Sequence, residues 1–110
     1  MGRILIVEDS EATCRTYREV LGSSHQLTLA RTMSEGLNQA AAQDFDLLVL
    51  DLILPDGHGF DLCRQLLQTS GQRLPPFLFV TGRYDLQDKL TAFAMGAEDF
   101  VVKPFEPKEL

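Results

Sequence analysis

Ile4-Leu5-Ile6-Val7-Glu8-Asp9 runs four apolar residues straight into two acids, and Leu47-Leu48-Val49-Leu50-Asp51 runs four into one. Unbroken apolar runs this short are the pattern of strands covered on both faces, where no solvent side calls for alternation. Phe77-Leu78-Phe79-Val80 is a third such run and ends at Thr81; Phe100-Val101-Val102 is shorter and ends at Lys103. Residues 26–30 place Leu27 and Leu29 on one side only and read as an edge strand.

Helical spacing fills the intervals. Ser10 can cap a first helix with Tyr17, Val20 and Leu21 on one side and Gly22 as its stop. Ser34 can cap a second, with Leu37, Ala40 and Ala41 at i, i+3, i+4. Leu62, Cys63, Leu66 and Leu67 define a third, ended near Gly71. Leu86, Leu90, Phe93 and Ala94 give the cleanest stripe, ended by Gly96. Strict alternation of strand and helix specifies an α/β fold: a doubly wound, five-stranded parallel sheet with right-handed crossovers and helices on both faces. Five strands of this kind commonly take the flavodoxin-like order 2-1-3-4-5. Ligands then bind beyond the carboxyl ends, at the switch point between the first and third strands.

The chain of 110 residues has room for one core and reads as a single domain, residues 1–110. A formal charge of -6 speaks against direct binding of this segment to nucleic acid or anionic membranes. No apolar run approaches the ~20 residues that span a bilayer. Cys14 and Cys63 form no CxxC pair, so a reduced, cytoplasmic chain is expected.

At the switch point the chain places Glu8-Asp9 and Asp51. Two carboxylates ~4 Å apart at an effective dielectric of ~20 repel by about 4 kcal/mol, so three together require a cation or protonation. Oxygen donors without His or Cys favour a hard divalent ion such as Mg²⁺ or Mn²⁺. Taken singly, an acid at a strand end is a solvated loop residue or helix cap, Thr81 a β-favouring residue and Lys103 a surface charge. Together they form a receptacle for a group with several negative oxygens, as phosphoryl transfer requires. A carboxylate can itself be the nucleophile.

Four stretches in order carry a resemblance that spans nearly the whole chain: residues 4–9, Leu50-Asp51-Leu52-Ile53-Leu54-Pro55-Asp56-Gly57-His58-Gly59, Val80-Thr81-Gly82 and Lys103-Pro104-Phe105. The sequence resembles the receiver domain of two-component response regulators. The resemblance implies a phosphorylation-dependent signalling switch rather than an enzyme. Asp51 would accept a phosphoryl group from a sensor histidine kinase or phosphotransfer protein. Glu8, Asp9, Asp51 and the backbone carbonyl of Ile53 would form the metal site. Thr81 and Lys103 would bind phosphoryl oxygens, and Lys103-Pro104 would be cis. Thr81 and Phe100 would be the switch pair, although Phe100 lacks a hydroxyl and as simple packing would need no such role. Ile53 and Arg83 depart from common family choices; they either slow loss of the phosphoryl group or merely decorate the rim.

An aspartyl-nucleophile phosphohydrolase on a doubly wound sheet is the rival from another class. It typically needs a second aspartate two residues after the nucleophile, where Ile53 stands, and a cap for which no residues are spare. A degenerate receiver used only for binding is the third reading, and the intact Asp9, Asp51, Thr81 and Lys103 set opposes it. His25 and His58 have no ligand-spaced partners and read as solvated loop residues. Asp56-Gly57 reads as turn chemistry, Gly59 as a tight entry into the third helix, and Cys63 as core. Only seven residues follow Lys103, so a fifth helix is cut short at about one turn. A partner chain, a homodimer or a rearranged stub is expected to cover the gap. An output domain in a longer chain fits the family pattern, and the exposed residues of the fourth helix are the expected partner surface.

Overall fold

A computed structural model describes residues 2–69, 74–82 and 84–103. Arg83, Pro104, Phe105 and the expected fifth-helix stub lie outside the described residues, as does the Gly71 stop of the third helix. The elements are β1 (Arg3–Val7), α1 (Glu11–Leu21), β2 (Gln26–Ala30), α2 (Met33–Ala42), β3 (Leu47–Leu50), β4 (Ile53–Leu54), β5 (Gly57–His58), α3 (Gly59–Thr69), β6 (Phe77–Thr81), α4 (Leu86–Ala94) and β7 (Asp99–Val102). The main sheet is parallel in the order β2-β1-β3-β6-β7, which is the expected 2-1-3-4-5 once β4 and β5 are set aside. Those two form a separate antiparallel ladder, with Ile53 opposite His58 and Leu54 opposite Gly57.

Alternation does exist in the central strands, but both of its phases are apolar. Leu5, Val7, Leu48, Leu50, Phe77 and Phe79 point into the core shared with Leu62, Cys63 and Leu66 of α3 and Ala92 of α4. Ile4, Ile6, Val49 and Val80 point the other way, with Tyr17 of α1. Each strand therefore serves two cores, which is why its sequence shows no polar phase. β2 lies at the edge, as its one-sided leucines required.

Two helix readings change. Thr32, not Ser34, caps α2: its hydroxyl accepts from Glu35 N and the helix opens at Met33. Ser34 lies within the first turn, where its backbone N–H is one of the orphan donors that need an outside acceptor. The stripe of α4 does not turn inward. Leu86, Leu90 and Phe93 are 69%, 56% and 44% exposed, and the helix buries Ala92 instead. Periodicity marks an apolar face but not its destination, and here the small residue meets the sheet. The Asp85–Asp88 capping box fixes the start of this helix.

Candidate phosphoryl and metal site

Parallel register builds the site. Val7 pairs with Leu50, so Glu8 and Asp51 are the next residues on neighbouring strands, and Asp51 N donates to Val7 O at 3.1 Å. Thr81 pairs with Val102, and Lys103 N donates to Thr81 O at 2.9 Å. The sequence-predicted groups thus leave the sheet at one edge, in the crevice where connections diverge to opposite faces.

Glu8, Asp51 and Thr81 are buried, whereas Asp9 is exposed. Carboxylate oxygens of Glu8, Asp9 and Asp51 lie within 4.8 Å of one another. At that distance and an effective dielectric of ~20, each charged pair repels by about 3.5 kcal/mol. Lys103 answers part of this. Its Nζ lies 2.6 Å from Glu8 Oε1 and 3.0 Å from Asp51 Oδ2. Ser10 N donates to Glu8 Oε2 at 3.1 Å.

Burial pushes the Glu8 carboxyl up to about 7 and the Asp51 charge adds to the rise, while the hydrogen bonds from Lys103 and Ser10 pull it down. Burial works to lower the Lys103 pKa, but its hydrogen bonds and attraction to Glu8 and Asp51 outweigh that and raise it. An all-oxygen donor set with excess negative charge and an open, solvent-facing member in Asp9 fits a hard divalent cation that keeps its waters.

Phe100 is buried and meets the Tyr84 ring edge-on, with centroids 5.3 Å apart. Ile53 is 42% exposed on β4, and Arg83 lies outside the described residues. Gly59 holds the start of α3 against the turn that follows β3: a Cβ there would collide with Asp51 O, and Gly59 N donates to Leu52 O at 2.6 Å. Only glycine permits this approach.

Three residues carry more than sequence reasoning assigned. Asp56 is not only a turn residue: its Oδ1 accepts from Met33 N at 2.7 Å and its Oδ2 from Ser34 N at 3.0 Å. His58 is not simply solvated, because its Nδ1 accepts from Phe60 N at 3.0 Å and its ring meets that of Phe60 at a 47° tilt, centroids 4.7 Å apart. His25 Nδ1 likewise accepts from Gly2 N at 3.2 Å. The Pro55-Asp56-Gly57 triplet signalled the turn, but no local pattern announces a partner more than twenty residues away.

The parallel 2-1-3-4-5 sheet, with an acidic, lysine-braced crevice at its switch point, has the flavodoxin-like receiver fold. The family model for the response regulator receiver domain matches residues 4–110, and the chain belongs to that family. It is 35% identical to the response regulator ArlR of Staphylococcus haemolyticus over 111 aligned residues, covering 100% of this chain and 49% of the relative. The non-phosphorylated HemR receiver domain of Leptospira biflexa superposes with a TM-score of 0.88 at 42% identity, over 99% of this chain and 87% of that one. DrrB of Thermotoga maritima, described as an OmpR/PhoB homolog, gives a TM-score of 0.84 at 29% identity, over 99% of this chain and 48% of that one. The chain spans about half the length of the curated relatives it matches. As a receiver domain it is a part of two-component signalling rather than an enzyme turning over substrate. No helix among the described residues is long and apolar enough to cross a membrane.

Proposed function

We infer that residues 1–110 act as one receiver domain whose phosphoacceptor is Asp51. One observation carries this reading: the Lys103 ammonium spans Glu8 and Asp51 beside Asp9, at the carboxyl edge of the sheet. An Asp51 oxygen attacks the phosphorus of a phosphohistidine, the O–P bond forms, and the P–N bond breaks with the electron pair leaving on the imidazole nitrogen. Glu8, Asp9, Asp51 and the Ile53 carbonyl would hold Mg²⁺ or Mn²⁺, which when bound supplies charge neutralisation for the incoming phosphoryl oxygens. Lys103 then exchanges part of its carboxylate contact for a phosphoryl oxygen, and Thr81 donates its hydroxyl to another.

Phosphorylation replaces the singly charged Asp51 carboxylate with an acyl phosphate carrying about two charges, a net gain of roughly one negative charge beside Thr81. Phe100 and its Tyr84 contact relay that change toward the β6–α4 connection and the apolar edge of α4. That edge is the surface offered to a second copy or to an output domain in a longer chain. The phosphodonor is a sensor histidine kinase or a phosphotransfer protein, encountered in the cytoplasm. Ile53 and Arg83 prolong the phosphorylated state by obstructing the hydrolytic water; an unchanged lifetime in an Ile53→Asn, Arg83→Glu double variant would remove that assignment.

Incubation with acetyl phosphate and Mg²⁺ followed by intact-mass measurement tests the reading. One added phosphoryl group, lost in Asp51→Ala, is expected. Sustained turnover of phosphomonoesters would favour a hydrolase, and no addition would leave a binding module.

A further inference from the structure

We propose that Asp56 is a positioning residue for the metal site: it pins the tip of the β4–β5 hairpin to the N-terminus of α2 and so fixes the Ile53 carbonyl at the root of that hairpin. This deepens the proposed function and rests on its metal reading. The hairpin is the one ladder among the described residues that shares no strand with the main sheet. Its two rungs, Ile53 opposite His58 and Leu54 opposite Gly57, cannot hold a fixed orientation by themselves.

Two anchors supply the orientation. At the root, Gly59 N donates to Leu52 O, and Gly59 packs on the Asp51 carbonyl. At the tip, the Asp56 carboxylate receives Met33 N and Ser34 N, one on each oxygen, across 23 and 22 residues. These are two of the donors that the first turn of a helix leaves without intrahelical partners, at its electropositive end. The same end also closes sterically on the hairpin: a Cβ on Gly57 would stand 2.8 Å from Met33 Sδ. α2 packs in turn on β1, where a Cβ on Gly36 would stand 2.9 Å from Val7 Cγ2. The path from Asp56 therefore returns to β1, the strand that Glu8 and Asp9 directly follow. Asp56 ties the carbonyl side of the metal site to its carboxylate side, through groups that touch no ion.

The test titrates the full chain with MgCl₂ by calorimetry, comparing Asp56→Ala, Asp56→Asn and Thr32→Ala. Thr32→Ala removes a cap from the same helix end without touching the hairpin, so it reports on loss of helix stability alone. Asp56→Ala is expected to bind Mg²⁺ about tenfold more weakly, in line with the loss of other residues that orient metal ligands. Asp56→Asn keeps one acceptor, for Met33 N, and is expected to fall between, which preserves the test if the alanine variant does not fold. Thr32→Ala is expected to keep wild-type affinity. Equal affinity in wild type and both Asp56 variants overturns the proposal, as does an equal loss in Thr32→Ala. Absence of Mg²⁺ binding by the wild type overturns the metal reading and this inference with it, an outcome distinct from unaltered binding in the Asp56 variants.

Discussion

Replacing Lys103 by Met retains much of the apolar stem and deletes the charge. The ammonium lies 2.6 Å from Glu8 and 3.0 Å from Asp51. At an effective dielectric of ~20 these contacts are worth about 6.4 and 5.5 kcal/mol of gross attraction. Desolvation of the three groups cancels much of that, and breaking a buried pair typically costs ~3–5 kcal/mol net because a charge is left uncompensated. Against a domain stability of ~5–15 kcal/mol this is a large share. At roughly 4 °C per kcal/mol for a domain this size, the melting temperature in EDTA at pH 8 should fall by about 12–20 °C. Protonation of Glu8 limits the loss at lower pH. A carboxyl with a folded pKa near 7 against 4.5 unfolded binds more protons folded than unfolded in between. Stability therefore declines as pH rises through that window, and more so in the variant. Mg²⁺ should raise the melting temperature of the variant more than that of wild type, since the ammonium no longer competes for the carboxylates. Scanning calorimetry with and without Mg²⁺ reads both effects. Equal stability of variant and wild type in EDTA at pH 8, or an identical Mg²⁺ shift in both, would refute the reasoning.

Gly59→Ala drives a Cβ into the Asp51 carbonyl, and overpacking of this kind costs about 1–3 kcal/mol; acetyl-phosphate labelling of Asp51 should slow along with a drop in denaturation midpoint. Asp56 is held below its ordinary value by the N–H groups of Met33 and Ser34. Its contribution is thus full above the unfolded carboxyl value of ~3.9 and is lost as pH falls through the lower folded value. Protection of the Met33 and Ser34 amides, relative to their intrinsic exchange rates, should fall on that acid side, and protection that stays flat down to about pH 2 would contradict it. Cys14 and Cys63 are buried with raised thiol pKa values, Cys63 at about 11, in each case chiefly through burial. Neither should react with an aromatic disulfide reagent at pH 8 until the chain is unfolded, and stoichiometric labelling of native protein would show the packing to be wrong.

The sheet was legible because each central strand is an uninterrupted apolar run, and because the chemistry-bearing residues stand directly after those runs. Register then needs no further information: a parallel sheet brings residues at equivalent strand ends into one row. Three features were not legible, for different physical reasons. The destination of the α4 stripe depends on which residue, Ala92 or Leu90, fits against the sheet, and periodicity is blind to that choice. The start of α2 was misplaced because Thr32 and Ser34 are equally good caps by type, and the Asp56 carboxylate that satisfies the helix end comes from a distant turn. The β4–β5 ladder has two rungs, too few for any alternation to register.

The register that assembles the crevice also sets an order in time. The two buried acids, Glu8 and Asp51, directly follow strands made early, whereas the lysine that balances them lies 52 residues beyond Asp51. At synthesis rates of ~5–20 residues per second that interval lasts about 3–10 seconds. A nascent chain that paired β1 with β3 in that window would bring both carboxylates together with no ammonium to meet them. A shared proton, or a hard divalent cation at the clustered carboxylates, is the physical substitute open to such a half-made sheet.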